Sequence, residues 1–432
     1  MRDTLVDSDG TAQSPFFYPL NPSVVMKQTQ SVFRWLAGTS LVARILIGLV
    51  VGVVLGIFLP SWTGISVLGS LFVGALKAVA PVLVAVLVVA SVAKAGSGLG
   101  ARFRTVLVCY LSSTVLAAVC AVVGSWLFPV TLELSGGAGG HVPGDLGDVF
   151  ASLLSQLVAN PIASVAEANY IGILFWSVLA GLALKKCASP STIAMVSDWS
   201  EAVSVVVRWV IQCAPLGIMG LVFTSVSSAG MAVFATYGHL LLLLVGCMAV
   251  GALLLNPLLS YLICRRNPYP LLFQCLRESG VSAFFTRSSA ANIPINMHLC
   301  RTLGLDREFY SVSIPLGSTV NMNGAAVTIT VMALAVAHTV GVEVGFAASL
   351  LLSVVATLAA CGTSGVAGGS MLLVPMACSL FGVDADVAMQ AVGIGFVIGV
   401  LQDSVETAFN SSADVFFTAT AEYAERRKRG RS

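Results

Sequence analysis

Charged residues are scarce in this sequence: Asp, Glu, Lys and Arg together make up 10% of its 432 residues. A soluble domain carries about 25% of these residues, which cover its water-facing surface. This chain is 57% hydrophobic, with a mean hydropathy of +0.94, and it lacks the polar residues for such a surface. The shortage argues against a soluble protein, and repeated apolar runs of roughly 20 residues predict an all-α polytopic membrane protein.

Histidine is also rare, and cysteine lacks the spacings that signal a site. The four histidines are dispersed, and the ten cysteines show no CxxC pair. Metal sites and disulfide frameworks need clustered ligands or regular spacings. We therefore expect buried free thiols without redox chemistry. The net charge of +2 gives no indication of nucleic-acid binding.

The first 30 residues lack the apolar segment of a signal peptide. They contain Asp3, Asp7, Asp9 and three prolines before the first apolar run. Residues 1–33 are therefore predicted to form a cytoplasmic tail. Residues 424–432 are predicted to form a second, basic cytoplasmic tail.

Lysine and arginine are missing from alternate loops between the apolar segments. Residues 135–148 and 227–238 contain neither, whereas the neighbouring loops are basic. The basic clusters are Arg34/Arg44, Arg102/Arg104, Lys185/Lys186, Arg265/Arg266, Arg301/Arg307 and Arg426 to Arg431. Because basic loops stay in the cytoplasm, the pattern predicts two cytoplasmic termini and a multi-pass protein of the bacterial inner membrane. The predicted spans in this part are 41–59, 65–92, 106–128, 202–226 and 239–263, with a broken stretch at 149–184.

Two later stretches begin and end on the same side of the membrane. Residues 269–300 have basic residues at both ends and a polar middle, and residues 344–380 have a glycine-rich middle. Each predicts a re-entrant helical hairpin. A helix follows each hairpin, and the first of these, 310–338, is interrupted at 321–324. We expect about eight transmembrane helices and two hairpins in an inverted repeat, which is typical of secondary transporters. Residues 34–266 form the predicted scaffold and oligomerisation spans, with part of the mobile block, and 267–423 form the transport core.

The last helix, predicted over 393–420, carries polar residues in an apolar context. Asp403, Thr407, Asn410 and Asp414 are spaced by four, three and four residues and fall on one stripe. Ionised carboxylates at membrane depth normally face a bundle interior or a cavity. The stripe therefore predicts a binding surface, on which Asp403 suits an ammonium group and Asp414 suits a cation. Opened backbone in the hairpins and at 321–324 suits a carboxylate and a small hard cation such as Na⁺.

These motifs resemble those of the dicarboxylate/amino acid:cation symporters, a family that includes glutamate and neutral amino-acid transporters. The similarity is carried by TRSSAANIP, STVNMNGAA, CGTSG and QDSVETAFNSSAD, and it is strongest over residues 272–420. Within the family they are most similar to the bacterial branch that carries serine and threonine with sodium. The resemblance implies an elevator-type transporter that is not an enzyme, with Na⁺ as the coupling ion and a homotrimeric assembly.

The resemblance also implies the binding residues. Ser289 and Asn410 would bind the substrate carboxylate and Asp403 its ammonium group, with the second hairpin acting as a gate. The implied substrate-binding residues are Arg287, Ser288, Ser289, Val366, Ser370, Asp403, Glu406, Thr407 and Asn410. The implied sodium ligands are Gly317, Thr319, Asn321, Asn323, Ala360, Cys361, Thr363, Asn410 and Asp414.

Three positions depart from the family's transporters of acidic amino acids. Glu406 stands in place of an Arg, Asn323 in place of an Asp that helps to hold a further sodium ion, and Ala325 in place of a Thr. Two like charges about 4 Å apart repel by roughly 4 kcal/mol at an effective dielectric constant of 20. Glu406 therefore disfavours acidic substrates, and it can accept a hydrogen bond from a serine or threonine hydroxyl. We expect sodium-coupled symport of serine and threonine. The alternative is a sodium- or proton-coupled symporter of another small neutral amino acid or a dicarboxylate.

Other interpretations stay open at this stage. Glu406 either faces the pocket or pairs with Arg287 or another basic group, and Thr407 either contacts substrate or bonds back to its own helix. The GTSG sequence matches a serine-nucleophile motif, but no histidine follows Ser364. A passive channel lined by the same broken helices would show a linear, uncoupled flux. Lys77 and Arg208, within other spans, are expected to reach toward the membrane surface.

Overall fold

The computed structural model describes residues 39–94, 101–134, 155, 157–361, 368–428 and 430. Within these ranges the chain is helical and contains no strand. Some predictions lie outside the described residues: the tail at 1–33, the loop at 135–148, and the tip of the second hairpin with Thr363, Ser364 and Val366.

The first part of the chain forms helices close to the predicted spans. They are α1 (Leu41–Phe58), α2 (Ser66–Lys94), α3 (Ala101–Leu127), α4 (Pro161–Ala166), α5 (Tyr170–Cys187), α6 (Pro190–Gln212), α7 (Ala214–Ala229), α8 (Val233–Val250) and α9 (Asn256–Cys264). Short 3₁₀ turns precede α2 and α8, and a π-helical segment, Gly251–Leu255, joins α8 to α9. The predicted breaks in the stretch 149–184 are confirmed, because the side chains of Asn160 and Asn169 cap the starts of α4 and α5.

The predicted span over 202–226 is broken at Cys213. The structure has two helices here, α6 and α7, with axes that bend by 50° where they meet at Cys213. Pro215 lies in the first turn of α7, and a proline there removes a backbone donor and crowds the preceding turn. The bend is therefore explained by Pro215, which a hydropathy profile does not identify as a break.

Closely spaced glycines hold α1 against α7. Gly48, Gly52 and Gly56 repeat every four residues on one face of α1. A Cβ atom at Gly48 would lie only 2.2 Å from the carbonyl oxygen of Pro215. Small residues at this spacing let two membrane helices approach backbone to backbone. This pair forms part of the wall around the second half of the chain.

The second part of the chain contains the interrupted elements. Its helices are α10 (Tyr269–Cys275), α11 (Val281–Thr286), α12 (Ile293–Thr302), α13 (Arg307–Val320), α14 (Asn323–Thr339), α15 (Phe346–Ala360), α16 (Val374–Ser379) and α17 (Ala385–Lys428). A π-helical segment, Leu276–Gly280, joins α10 to α11, and a 3₁₀ turn, Met371–Leu373, leads into α16. We call residues 269–302 the first hairpin and residues 346–379 the second hairpin, because the two limbs of each pack against each other.

Long apolar helices dominate the described residues. Five helical stretches are long and apolar enough to cross a membrane, namely α2, α3, α8–α9, α13–α14 and α17, and the bent pair α6–α7 makes a sixth if it is one span. Helices α1 and α15 are apolar but shorter. The prediction of an all-α chain with several membrane-crossing helices is confirmed, whereas the number of about eight and the elevator arrangement stay predictions.

Helices α14 and α17 form the centre of the molecule. Helix α17 is continuous over 44 residues and buried along most of its length. Helix α14 is buried from Asn323 to Ala337 and is separated from α13 by the break at Asn321 and Met322, where the backbone leaves helical geometry. The predicted interruption at 321–324 is thus confirmed at its first two residues. It brings the start of α14 against the polar residues of α17.

Candidate functional site

The start of α14 contacts α17 at a glycine. A Cβ atom at Gly324 would lie 2.9 Å from both Cα and Cγ of Glu406. The backbone N–H of Gly324 donates to Oδ1 of Asn410 at 2.7 Å. The break before α14 leaves N–H groups without helical partners, and Asn410 satisfies one of them. The lack of a side chain at Gly324 is what allows this approach.

Asp403 contacts both hairpins. Nε of Arg287, at the end of α11, donates to Oδ2 of Asp403 at 2.7 Å. The backbone N–H of Gly368, in the second hairpin, donates to Oδ1 at 3.2 Å. The Asp403 side chain is only 5% exposed. Arg287 thus pairs with Asp403, and the alternative in which it pairs with Glu406 is wrong.

A small cavity lies beside this ion pair. It has a volume of about 20 Å³ and is bordered by Arg287, Gly368, Gln402 and Asp403, with apolar residues of α1, α6 and α17. That volume accommodates about one water molecule. An amino acid therefore enters beside Asp403 only if the surrounding elements move apart.

Glu406 is surrounded by neutral hydrogen-bond donors. Its Oε2 accepts from Thr328 Oγ1 at 2.7 Å, from Ser370 Oγ at 2.8 Å and from Gln402 Nε2 at 2.6 Å. Gln402 Nε2 also lies 2.7 Å from Thr328 Oγ1. We call these four residues the Glu406 group; all four are buried. Sequence reasoning named Ser370 and Glu406 but missed Thr328 and Gln402, although Gln402 lies one helical turn before Glu406.

Asp414 has a carboxylate oxygen without a partner. The residue is fully buried, and Oδ1 accepts from Asn321 Nδ2 at 2.9 Å, while Oδ2 has no hydrogen-bond partner among the described residues. A Cβ atom at Gly317 would lie 2.7 Å from Oδ1, so the carboxylate lies directly against the backbone of α13. A buried, unpaired carboxylate oxygen is unfavourable, and carboxylate with backbone carbonyls is a donor set that suits hard cations. The predicted sodium ligands Gly317, Asn321, Asn410 and Asp414 are therefore neighbours in the fold.

Asn323 faces two hydroxyl groups of α3. Its Oδ1 accepts from Ser113 Oγ at 3.0 Å and from Thr114 Oγ1 at 2.8 Å. Its Nδ2 is buried and has no hydrogen-bond partner among the described residues. Ser113 also lies 3.4 Å from Oδ1 of Asn321. Sequence reasoning missed Ser113 and Thr114, because no pattern links α3 to the break before α14.

The remaining predicted residues lie around this centre. Thr407 Oγ1 donates to the carbonyl oxygen of Asp403 at 2.7 Å, so in this structure it bonds back to its own helix. Ser288 Oγ accepts from the N–H of Ala291 within the hairpin tip, and Ser289 is buried.

Cys361, which follows Ala360 at the end of α15, places its Sγ 3.4 Å from the carbonyl oxygen of Val320. Thr319 Oγ1 donates to the carbonyl oxygen of Leu316.

Two basic residues of other helices lie outside the site. Lys77 pairs with Asp386, and Arg208 pairs with Glu201. All four side chains are exposed. Neither pair includes Asp403, Thr407, Asn410 or Asp414, as expected from the sequence.

A buried amide network ties the first hairpin to α17. Asn292 Nδ2 lies 2.8 Å from Ser411 Oγ and 3.1 Å from the carbonyl oxygen of Ser279. Asn296 Nδ2 lies 3.0 Å from Ser411 Oγ and 3.2 Å from the Ser411 carbonyl oxygen. These contacts join both limbs of the hairpin to one point of α17. Sequence reasoning missed them, although Asn292 and Asn296 share one face of α12 at a spacing of four.

The charges of the site do not balance among the residues described above. Three buried carboxylates, Asp403, Glu406 and Asp414, lie near one guanidinium, that of Arg287. Burying unpaired negative charge is costly. An arrangement of this kind is stabilised by binding cations.

Most of the chain is similar to known transport proteins. The profile of the sodium:dicarboxylate symporter family matches residues 41–423. A serine/threonine transporter SstT of Bifidobacterium adolescentis is 55% identical over 408 residues, which cover 94% of this chain and 95% of the relative. Proteins of the same name from Enterococcus faecalis and Streptococcus thermophilus are 53% identical over 392 residues and 52% identical over 386 residues. These matches cover 90% and 89% of this chain, and 93% and 96% of the respective relatives.

Proposed function

The chain belongs to the sodium:dicarboxylate symporter family, and on this basis we propose that it couples the uptake of serine and threonine to sodium. It is a transporter and not an enzyme. The names of its relatives support serine and threonine as substrates. The observation that carries the proposal is the Glu406 group, in which a buried carboxylate is held by uncharged donors.

The zwitterionic part of the substrate binds between α17 and the hairpins. The ammonium group takes the place of the Arg287 guanidinium on Asp403. The carboxylate accepts from Asn410 Nδ2, whose partner here is the weakly accepting sulfur of Met322 at 3.5 Å. Ser288, Ser289, Thr407 and the backbone near Val366 complete this part of the site.

The side chain of the substrate selects between hydroxylated and acidic amino acids. Glu406 accepts a hydrogen bond from a serine or threonine hydroxyl, whereas it repels the carboxylate of aspartate or glutamate. A pocket that pairs a hydroxyl discriminates strongly against analogues without one, because its own polar group is then left unpaired.

Sodium binds where backbone carbonyls and Asp414 meet. The unpaired Oδ2 of Asp414 supplies the charge for one ion, together with carbonyl oxygens of Gly317, Asn321 and Asn410. The close approach of Cys361 to the end of α13 supports a second ion between carbonyls of Thr319, Ala360, Cys361 and Thr363. Asn323 with Ser113 and Thr114 offers only neutral oxygens for a third cation.

Transport proceeds by alternating access. The two hairpins and α17 form a block that moves against the earlier helices, and the second hairpin closes the site from outside. We propose a homotrimer in the bacterial inner membrane with both termini in the cytoplasm. These features follow from the family and from the placement of basic residues in the sequence.

Uptake into proteoliposomes tests the proposal. Labelled serine is supplied with an inward Na⁺ gradient or an equal K⁺ gradient, with excess unlabelled threonine, alanine or aspartate. We expect uptake that requires Na⁺, saturates, and is blocked by threonine but not by aspartate. Competition by aspartate would contradict the role of Glu406. Serine uptake that does not depend on Na⁺ would contradict sodium coupling. It would then indicate a proton symporter or, if uptake rose linearly with serine concentration, a channel.

A further inference from the structure

The hydroxyl of Ser370 occupies the position on Glu406 that a serine hydroxyl would use. Ser370 Oγ lies 2.8 Å from Glu406 Oε2, and Ser370 is 1% exposed. A protein serine and a free serine present the same group, CH₂–OH. The second hairpin therefore places a copy of the substrate's side chain on the proposed selective acceptor.

The acceptor atom has no room for a fourth donor. A carboxylate offers about four lone-pair positions over its two oxygens, and Oε2 of Glu406 already lies within 2.8 Å of three donors. A substrate hydroxyl that binds Oε2 must displace one of them.

The three donors differ in how firmly they are held. Thr328 lies within α14 and Gln402 within α17, two continuous helices that pack against each other. Gln402 and Thr328 also contact each other at 2.7 Å, which fixes both side chains. Ser370 instead lies in the turn that precedes the 3₁₀ segment of the second hairpin. The donor that leaves most easily is therefore Ser370.

We propose that the substrate hydroxyl exchanges with Ser370 on Glu406, while Thr328 and Gln402 act as positioning residues that hold the acceptor. This inference rests on the proposed function and adds a mechanism of selectivity. In it, Ser370 competes with hydroxylated substrates instead of binding them. Serine and threonine displace Ser370 from Glu406, whereas alanine, which has no hydroxyl, leaves the bond between Ser370 and Glu406 in place.

The sign of the Ser370→Ala effect tests the exchange. The full-length variant is reconstituted in proteoliposomes with an inward Na⁺ gradient, and KM for serine and the inhibition constant of alanine are measured. We expect KM for serine to fall by roughly tenfold, the size of one hydrogen bond to a charged group, with alanine inhibition unchanged. Ser349→Ala is the matched control, since Ser349 is equally buried in the same hairpin and its hydroxyl donates to the carbonyl of Gly345 at the start of its own helix.

Variants of Thr328 test the positioning role. Thr328→Val removes the hydroxyl at nearly constant shape and should raise KM for serine relative to alanine inhibition, and Thr328→Ser should restore the ratio. Thr330→Val is the control, because Thr330 is also fully buried in α14 and its hydroxyl has no partner among the described residues.

Two outcomes overturn the exchange. A rise in KM for serine in Ser370→Ala would make Ser370 a ligand of the substrate. An equal change in KM for serine and in the inhibition constant of alanine would mean that Ser370 has only a structural role. The proposed function is tested separately by the wild type: if wild-type uptake of serine needs no Na⁺, the function fails, whereas a normal wild type with a contrary variant refutes the exchange alone.

Discussion

The two hairpins contact the same helix through different chemistry. The first hairpin is bound to α17 by neutral amides and hydroxyls, centred on Asn292 and Ser411, and by the ion pair of Arg287 with Asp403. The described part of the second hairpin is bound through Gly368 and Ser370 to the carboxylates of α17. Both hairpins are thus attached to α17. Among the described residues, the hydrogen bonds from the second hairpin to α17 all have charged acceptors, whereas those from the first hairpin do not.

This difference determines what a ligand can do to each hairpin. A zwitterion or a cation competes well for a carboxylate, because charge-assisted hydrogen bonds are the strong ones. The same ligand gains little from the buried network of Asn292 and Ser411, whose groups are uncharged. We therefore expect substrate and sodium to release or fasten the second hairpin while the first stays with α17.

The largest effect is expected from Asp403→Asn. Among the described residues, Asp403 is the carboxylate that both hairpins contact, through Arg287 and Gly368. Removing the charge leaves the substrate ammonium without a counter-ion, and losing one partner of a buried charge pair costs about 2–5 kcal/mol. Serine uptake should fall by at least about 100-fold at equal protein content. Asp384→Asn, the same change at an exposed position before α17, is the control and should transport normally.

A wild-type rate in Asp403→Asn would remove this residue from the substrate site. The difference between the two hairpins would then have no bearing on substrate binding, although the contacts themselves would remain.

The next effect, on stability, is expected from Asn292→Ala. The change removes the side-chain donor to the Ser279 carbonyl oxygen, while the hydroxyl of Ser411 keeps the amide of Asn296. A buried group that loses its partner costs about 1–3 kcal/mol, so the free energy of unfolding should fall by roughly 2 kcal/mol. Thermal unfolding of the purified protein measures this, with exposed Asn267→Ala as the control. Ser370→Ala should lower stability much less; an equal loss in both would show that the hairpins are held alike.

The turn of the second hairpin can be strained at Gly368 without removing the backbone N–H that donates to Asp403. Gly368 has a φ of +72°, and a Cβ atom there would lie 2.9 Å from Cε1 of Phe396. A left-handed conformation costs a non-glycine residue about 1–2 kcal/mol. Gly368→Ala should therefore weaken the apparent affinity for serine by roughly tenfold in a competition assay. Gly246→Ala is the control, since nothing lies near its added methyl group; an unchanged affinity in Gly368→Ala would contradict the role of this turn.

The polar residues of α17 were predictable because they belong to one helix. A period of 3.6 residues places Asp403, Thr407, Asn410 and Asp414 on one stripe, and the break at Asn321 follows from polar residues and a glycine inside an apolar span. The structure confirms that α17 is one helix and that α13 ends at Val320. Information within a single segment was therefore sufficient for these features.

Partners on different helices were not predictable in the same way. Thr328 and Ser113 are small polar residues in apolar helices, and each resembles many others that bond only to their own backbone. Their contacts with Glu406 and Asn323 depend on how closely α14 approaches α17 and α3. The distance between these helices is set by packing, as at Gly324. No periodic pattern in the sequence indicates it. The pairing of Arg287 with Asp403 belongs to the same class.

The smallest effect is expected at the base of the first hairpin, where pH acts on Asp306. The hydrogen bond from the Arg102 guanidinium, at 2.8 Å, lowers the pKa of Asp306 below its usual range. A carboxyl with a lowered pKa in the folded state stabilises above its unfolded pKa of about 3.9, and this contribution is lost as pH falls through the folded value.

Asp306→Asn isolates this charge, because Asn also caps a helix and Asp306 caps α13. Asp306 is partly exposed, so the variant should be less stable by at most about 0.5 kcal/mol at pH 7. As the pH falls below 4, its unfolding temperature should approach that of the wild type, because the wild-type carboxyl becomes protonated as the pH passes through its lowered pKa. A difference that stays constant as the pH falls would mean that Asp306 acts through shape alone. Serine affinity at pH 7 should be unaffected, since the base of the first hairpin lies apart from the carboxylates that hold the second.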